Sequence, residues 1–408
     1  MVSLTERTKH YLDVYRLILG ELWSGKHHAN SFRTTRAGYI RSRTSNICYG
    51  WALLVLLWIP LDILLVSENT LLRSLIVERV ILAAALFSIG WYCKRQSGLE
   101  QARFCLFLLV VCVNLFYVSS NLLLAAPDNS VSFETAYALL PIIHVVMLTI
   151  FPLSAVESLA LMAITAISHL AVEYRGGNLL SPDKLSAYWL QTVLSVIVIW
   201  SQLSQLHMIL RLYRQATLDP LTGVYNRRML LQLADKALYR CQSKGIPFSV
   251  LLLDLDKFKR INDKWGHACG DIVLQTFTRT LQADFRKSDI FGRFGGEEFV
   301  VFLPGCDARV AQQVAIRILS VVRRTDITVD DEPNQVSITV SIGVATHTGD
   351  EDLSALIERA DHALYKAKAD GRDRSVYMMQ GEKFDFEKRN LSQPTIEKAN
   401  QPAEVPAE

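Results

Sequence analysis

Residues 47–210 restrict the fold of this chain more than any other part of it, because they are long, apolar and almost without charge. They hold only 16 of the 83 Asp, Glu, Lys and Arg residues among the 408 residues of the chain. Six apolar runs fill the segment, at roughly 47–66, 75–93, 104–126, 136–152, 153–172 and 187–209. Each is close to the ~20 residues with which a helix crosses a bilayer. The pattern predicts an all-α membrane domain of six helices over residues 47–209, with five as the alternative because the fourth run is short.

Basic residues predict the orientation of this domain. They gather before the first run, between the second and third, and after the last, at Lys26, Arg33, Arg36, Arg41, Arg43, Lys94, Arg95, Arg103, Arg211 and Arg214. Positively charged loops stay on the cytoplasmic side of a membrane. We therefore expect six spans with both termini in the cytoplasm.

Ionisable residues inside the apolar runs are candidates for function, since burying charge in hydrocarbon is costly. Glu78 and Arg79 lie near one end of a run and are expected to pair along their helix. Glu157 lies near another run end, and His144 and His169 can stay neutral.

The segments around the membrane domain have simpler patterns. Residues 1–46 form a cytoplasmic segment with an amphipathic stripe between Tyr11 and Leu22, which predicts a helix on the membrane surface or packed against the protein. Residues 210–218 extend the last run as a linker helix that must end before Pro220. Residues 380–408 are polar and predicted to be disordered. The seven cysteines include no CxxC pair, so neither a zinc site nor a disulfide framework is expected.

Beyond the linker, apolar strands alternate with helical patterns. The strands are expected at Phe248–Leu253, Phe299–Leu303 and Val336–Ile342, and the helices near 226–242, 268–285, 308–325 and 352–370. This alternation predicts a mixed α/β domain large enough to bury its own core.

Two clusters of carboxylates stand at strand ends in this domain. Asp254 and Asp256 follow the first strand, while Glu297 and Glu298 follow the pair Gly295–Gly296. A Gly-Gly pair between apolar runs predicts a two-residue hairpin turn that puts both glutamates at the start of the returning strand. Carboxylates from neighbouring strands suit a Mg²⁺ ion that also binds phosphate oxygens. A solvated strand end is the structural alternative for the two aspartates.

Both clusters, with several motifs around them, resemble the GGDEF-type diguanylate cyclase domain. The resemblance covers about residues 215–378 and is carried by Asp219–Arg228, Asp254–Lys259, Ile261–Asp263, Gly266–His267, Gly270–Asp271, Gly295–Phe299, Val340–Ala345 and Ala360–Arg372. It implies an α/β domain over residues 219–379 of the palm-like nucleotidyl-cyclase type, with a mixed central sheet and flanking helices. The implied reaction joins two GTP into cyclic di-GMP and releases two pyrophosphates. It implies a homodimer with one GTP in each half, Mg²⁺ or Mn²⁺ as cofactor, and a multi-pass protein of the bacterial inner membrane.

The resemblance also implies roles for single residues. Glu297 takes the place of the general base, and the metal ligands are Asp254, the carbonyl of Leu255, Glu297 and, as a helper, Glu298. The phosphates of GTP would be bound by Lys257, Phe258, Lys368 and Arg372, and its guanine by Asn262, His267 and Asp271. The product, cyclic di-GMP, would bind at an inhibitory RxxD site formed by Arg286 and Asp289. Packing under the loop is an equal alternative for His267. No nucleic-acid partner is expected.

Two other functions remain as alternatives. A catalytically silent receptor of cyclic di-GMP would be expected to lose carboxylates, yet Asp254, Glu297 and Asp271 are all present. A transporter or channel would be expected to show broken helices or an internal repeat, and the apolar runs show neither.

Overall fold

The structure is a computed structural model of the chain. It describes residues 19–25, 28, 30–66, 68–124, 137, 139–177, 179–328, 335–349 and 351–381. The chain divides into two compact units between Arg214 and Gln215. Most of the predicted amphipathic stripe, up to residue 18, and the tail beyond residue 381 lie outside the described residues.

The first unit is helical. Its helices are α1 (Asn30–Leu57), α2 (Ile59–Leu65), α3 (Asn69–Arg95), α4 (Leu99–Leu124), α5 (Leu140–Met147), α6 (Ala155–Arg175) and α7 (Pro182–Thr217), with a 3₁₀ turn at Leu148–Ile150. Leu86, Leu106, Leu109 and Val145 belong to the apolar core that these helices share.

Four helical segments in the described part of this unit are long and apolar enough to cross a membrane, namely Ser31–Leu65, Leu99–Leu124, Ala155–Arg175 and Lys184–Thr217. They coincide with the first, third, fifth and sixth predicted runs. The second run lies in α3, which is not among the four, and the fourth run forms the shorter apolar helix Leu140–Ile150. A helical region with four candidate spans is therefore what the structure supports, and the count of six stays a prediction.

The expected pairing of Glu78 with Arg79 is wrong. Arg79 pairs with Asp62 of α2 and donates to the hydroxyl of Tyr137 at 2.7 Å, whereas Glu78 accepts from Ser119 and Ser120 of α4. Adjacent residues on a helix point in different directions, so each side chain finds its partner on another element.

The second unit contains a five-stranded mixed sheet in the order β2-β3-β1-β6-β7, with β6 and β7 parallel. Its strands are β1 (Phe248–Leu255), β2 (Ile290–Arg293), β3 (Glu298–Pro304), β6 (Val340–Thr346) and β7 (Ser375–Tyr377), and β4 (Ile327–Thr328) and β5 (Gln335–Val336) form a separate pair. Its helices are α8 (Arg227–Gln242), α9 (Phe258–Asp284), α10 (Ala308–Arg323) and α11 (Leu353–Ala369). The predicted mixed α/β fold is confirmed.

Strand β1 lies at the centre of the sheet and is buried along its whole length. Leu251, Leu253 and Leu255 belong to the core shared with α9 and α10. Val250 and Leu252 belong to the core shared with α8 and α11. Because side chains alternate between faces along a strand, Asp254 projects on the same side as α8 and α11.

Two predicted elements have different bounds in the structure. The expected strand Val336–Ile342 is divided between β5 and β6, because Val336 pairs with Ile327 of β4 whereas Val340 pairs with Leu255 of β1. The expected helix 268–285 begins earlier, at Phe258, and is interrupted at Gly266, where φ is 80° and ψ is 162°. The first part of α9 was not predicted, because the stretch before residue 268 is polar.

Candidate active site

The site begins with two carboxylates that face each other on neighbouring strands. Asp254 of β1 pairs in register with Glu298 of β3 on one side and with Ser341 of β6 on the other. Residues directly opposite in an antiparallel pair share one face of the sheet, and like charges there destabilise it. Such an arrangement is stable only with a positive charge nearby.

The turn that leads into β3 is longer than the predicted two-residue hairpin. Arg293 is the last paired residue of β2, and the amides of Phe294 and Gly295 both donate to the Glu298 carbonyl, at 2.8 and 3.2 Å. Glu297 therefore belongs to the turn, and only Glu298 begins the returning strand. The Glu297 carbonyl accepts the Leu255 amide at 3.3 Å, which places the turn at the end of β1.

The two glycines of the turn have different environments. A Cβ on Gly295 would lie 2.5 Å from Oε2 of Glu298, so a larger residue there would require that carboxylate to shift. A Cβ on Gly296 would meet no atom within 4 Å. The backbone at Gly296 is therefore open to a close approach by another molecule.

A lysine supplies positive charge to these carboxylates. Nζ of Lys368 lies 2.7 Å from Oδ2 of Asp254, and their side chains are 26% and 9% exposed. Burial raises the pKa of Asp254 even so. Burial, followed by the charge of Asp254, raises the pKa values of Glu297 and Glu298 as well. Three crowded carboxylates and one ammonium leave an excess of negative charge.

This donor set fits a hard divalent cation, which prefers carboxylate oxygens. In the described part of the chain, no three His, Cys, Asp or Glu side chains are already arranged as a metal site. Lys368 holds Asp254 in this structure, so an ion would have to share or replace that contact. Leu255 is buried beside Asp254 and offers only backbone groups.

Two backbone amides predicted to bind phosphate lie at the start of α9. Lys257 has a left-handed backbone with φ of 58°, and Phe258 is buried. Neither amide donates a hydrogen bond to any described residue. Free amides at a helix N-terminus form a favourable position for an anion.

Arg372 lies in the turn after α11, with φ of 65°. Its charge favours the ionised form of Asp254, which places it in the same electrostatic neighbourhood. Lys368 and Arg372 are thus both brought to the carboxylate end of β1.

The residues predicted to read guanine gather around the interruption of α9. The side chain of Asn262 lies against Gly270, where a Cβ would be 1.9 Å from its Oδ1. Asp271 follows Gly270 directly and is exposed, as is His267. Asn262 therefore lies against the residue that precedes Asp271, and exposed His267 does not pack beneath the loop.

The predicted RxxD residues form the turn between α9 and β2. The Asp289 carboxylate accepts the Arg286 amide at 2.9 Å, and the Asp289 amide donates to the Arg286 carbonyl at 3.0 Å. The Arg286 side chain is exposed. Asp289 therefore shapes the turn from which Arg286 extends.

Reasoning from the sequence missed Arg293. Its guanidinium donates to both carboxylate oxygens of Asp219, at 3.1 and 3.3 Å, and to the Gly296 carbonyl at 2.7 Å. Asp219 in turn accepts the amide and hydroxyl of Thr222 at 2.9 and 2.6 Å. An arginine at a strand end, directly before a glycine turn, was the only signal. This link joins the Asp219 turn to the turn that carries Glu297.

Facing carboxylates, free amides at a helix start and two nearby cations thus lie at one end of the central strand, an arrangement that suits a divalent cation and phosphate groups. Residues 216–374 match the family described as "Diguanylate cyclase, GGDEF domain". This segment is therefore a GGDEF domain, as the resemblance implied.

Several known proteins are similar to part of the chain. "Response regulator PleD" of Caulobacter vibrioides is 41% identical over 162 residues, which are 40% of this chain and 36% of PleD. "Diguanylate cyclase DgcP" of Pseudomonas aeruginosa is 41% identical over 161 residues, 40% of this chain and 24% of DgcP. The GGDEF domain of DgcB from Caulobacter crescentus, solved in complex with c-di-GMP, is 32% identical over 40% of this chain and 93% of that structure, with a TM-score of 0.39. The chain thus spans about a third or less of the length of the two curated relatives.

Proposed function

We propose that the chain is a membrane-anchored diguanylate cyclase that condenses two GTP into cyclic di-GMP with release of two pyrophosphates. The observation that carries this proposal is the group of Asp254, Glu297 and Glu298 beside Lys368, within a segment that matches the GGDEF family. Crowded carboxylates with raised pKa values are typical of functional sites.

Asp254, the Leu255 carbonyl and Glu297 would hold Mg²⁺ or Mn²⁺, with Glu298 adjacent. When bound, the ion neutralises charge on the phosphates and lowers the pKa of the attacking 3′-hydroxyl. Glu297 acts as the general base, and its raised pKa makes it a better proton acceptor than an ordinary carboxylate.

Other residues of the chain bind and orient GTP. The free amides of Lys257 and Phe258, together with Lys368 and Arg372, hold the phosphates by hydrogen bonds and charge. Asn262 and Asp271 select guanine, because its N1–H and exocyclic amine are donors that a carboxylate accepts. Adenine would leave Asp271 facing an acceptor and would lose these hydrogen bonds, and a hydrogen bond to a charged group contributes about 1.5–3 kcal/mol. Exposed His267 lies beside this pocket.

The remaining parts regulate and assemble the enzyme. Two copies form the catalytic homodimer, each holding one GTP. Arg286 and Asp289 bind cyclic di-GMP as an inhibitor, with the Arg286 side chain free to fork onto a guanine. The membrane domain, with six spans and both termini in the cytoplasm, anchors the protein in the bacterial inner membrane and senses a stimulus. The linker over residues 210–218 transmits the signal to the GGDEF domain over residues 219–379, whose activity changes in response.

The test is turnover by full-length protein in detergent with GTP and Mg²⁺, followed by mass identification of the product. Glu297→Ala is expected to abolish formation of cyclic di-GMP. Glu358→Ala removes an exposed glutamate of α11 and is the matched control, expected to stay active. Unchanged turnover in the Glu297 variant would refute its assigned role. Binding of cyclic di-GMP without turnover of GTP would instead favour the silent receptor.

A further inference from the structure

Asp256 is the second carboxylate at the end of β1, and its surroundings differ from those of Asp254. Its side chain is buried, with only 8% of the residue exposed. The carboxylate accepts three hydrogen bonds, from the Thr339 hydroxyl at 2.8 Å, the Ser341 hydroxyl at 2.7 Å and the Asp373 amide at 3.0 Å. All three donors belong to the protein, so the protein itself holds the Asp256 carboxylate in place.

These hydrogen bonds join three separate segments. Asp256 directly follows β1, Thr339 and Ser341 flank the first residue of β6, and Asp373 lies in the turn that follows α11. The Asp256 amide adds a fourth bond, to the Thr339 carbonyl at 2.9 Å. The end of β1 is therefore fastened to the turn that contains Arg372.

That turn has an unusual backbone. Arg372 and Asp373 both have positive φ, at 65° and 49°, a conformation that residues other than glycine rarely adopt. Such residues persist only where their surroundings hold them in place. Arg323 of α10 holds the Asp373 carboxylate from the surface, with both oxygens at 2.9 Å. Asp256 holds the Asp373 amide from the buried side.

We infer that Asp256 is a positioning residue, which holds the turn after α11 so that Arg372 lies where the phosphates of GTP bind. This inference rests on the proposed function of the site. Asp256 acts through hydrogen bonds and not as a metal ligand. It lies two residues from Asp254, so the two aspartates of one strand end have different tasks.

The chemistry of the three donors makes this role distinguishable from metal binding. In Asp256→Asn, the amide oxygen can still accept from the Thr339 hydroxyl and the Asp373 amide. The new NH₂ group can donate to the Ser341 hydroxyl, because a hydroxyl also accepts. Asparagine therefore preserves the network but removes the charge, whereas Asp256→Ala leaves the Asp373 amide without its partner.

The experiment measures equilibrium binding of a GTP analogue whose α and β phosphates are joined by a methylene group, to full-length protein in detergent with Mg²⁺. Asp256→Ala is expected to weaken binding about tenfold, the scale of one charged contact to phosphate. Asp256→Asn is expected to stay within about twofold of wild type. Since Asp256 acts through Arg372, Asp256→Ala with Arg372→Ala should bind no more weakly than Arg372→Ala alone.

With the Asp256 variants folded, two results would overturn the inference. One is weak binding by Asp256→Asn equal to that of Asp256→Ala, which would assign the effect to charge. The other is an additive loss in the double variant. If Asp256→Ala does not fold, Thr339→Val removes one donor instead, and unchanged binding by that variant would also overturn the inference. Because the analogue cannot turn over, wild-type protein that binds it but makes no cyclic di-GMP from GTP refutes the proposed function alone.

Discussion

The ion pair between Lys368 and Asp254 gives the sharpest prediction about the site without substrate. Lys368→Met keeps a long side chain on α11 but removes the ammonium that lies 2.7 Å from the carboxylate. The aspartate then stays almost buried beside Glu298 without its cation. We expect the centre of the sheet to open more easily when no divalent ion is present.

The magnitude follows from the exposure of the two side chains. Breaking a fully buried ion pair from one side costs about 3–5 kcal/mol, and an exposed pair contributes about 0–1 kcal/mol. Asp254 is 9% exposed and Lys368 26% exposed, so about 2 kcal/mol is expected. This corresponds to roughly 30-fold faster exchange of the protected amides of β1.

Hydrogen exchange of the peptide spanning β1, measured in full-length protein with EDTA, tests this value. Lys366→Met, which changes an exposed lysine of the same helix, is the control and should leave exchange unchanged. Mg²⁺ should slow exchange more in Lys368→Met than in wild type, because an ion on Asp254 replaces the missing charge. If Lys368→Met and wild type exchange equally fast with EDTA, or if Mg²⁺ slows both equally, the ion pair does not stabilise the sheet as expected.

Three further predictions concern the turns and the carboxylates. Gly296→Ala should leave hydrogen exchange of the sheet unchanged, since its Cβ meets no atom within 4 Å. If the nucleotide contacts this backbone, the same variant should raise the KM for GTP at least about tenfold. An unchanged KM would contradict that contact. Burial raises the pKa of Asp219, but hydrogen bonds from Thr222 and the charge of Arg293 outweigh burial and lower it. Its contribution to stability is therefore present above the unfolded pKa of about 3.9 and is lost as pH falls through the folded value. In denaturant titrations, the free energy of unfolding of Asp219→Asn should be lower than that of wild type at pH 7, and the difference should shrink below about pH 4. A difference that stays constant with pH would show that ionisation of the Asp219 carboxylate is not its cause. Protons compete with a metal ion for Asp254, Glu297 and Glu298, because the pKa values of these carboxyl groups are raised. Calorimetry should therefore show that the affinity for Mg²⁺ falls as pH drops from 7 to about 5. An affinity independent of pH would count against these ligands.

Much of the GGDEF domain could be predicted because its local signals agree with its fold. Strand β1 is mostly apolar in sequence, and it forms the buried central strand. Helices α8, α10 and α11 begin within a residue or so of their predicted starts, where Asn226, Asp307 and Asp352 each accept a backbone amide of the first turn. Capping side chains mark helix starts clearly in a sequence.

The parts that could not be predicted depend on contacts between distant residues. No local pattern shows that Arg293 reaches Asp219 or that Asp256 accepts the amide of Asp373, 117 residues later. Asp254 and Asp256, two residues apart, look alike in the sequence, and only the positions of Lys368, Thr339 and Ser341 distinguish their environments. In the helical first unit, hydropathy located the helices but not their partners, because ion pairs such as Arg36–Glu157 and Arg79–Asp62 connect different helices.

The proposed reaction joins two GTP into one cyclic dinucleotide. It is tested by incubating purified full-length protein with GTP and Mg²⁺, measuring the pyrophosphate released and identifying the nucleotide product by mass. We expect two pyrophosphates for each cyclic di-GMP, and no product from Glu297→Ala. GTP left unchanged by the wild-type protein, or a product other than cyclic di-GMP, would contradict it.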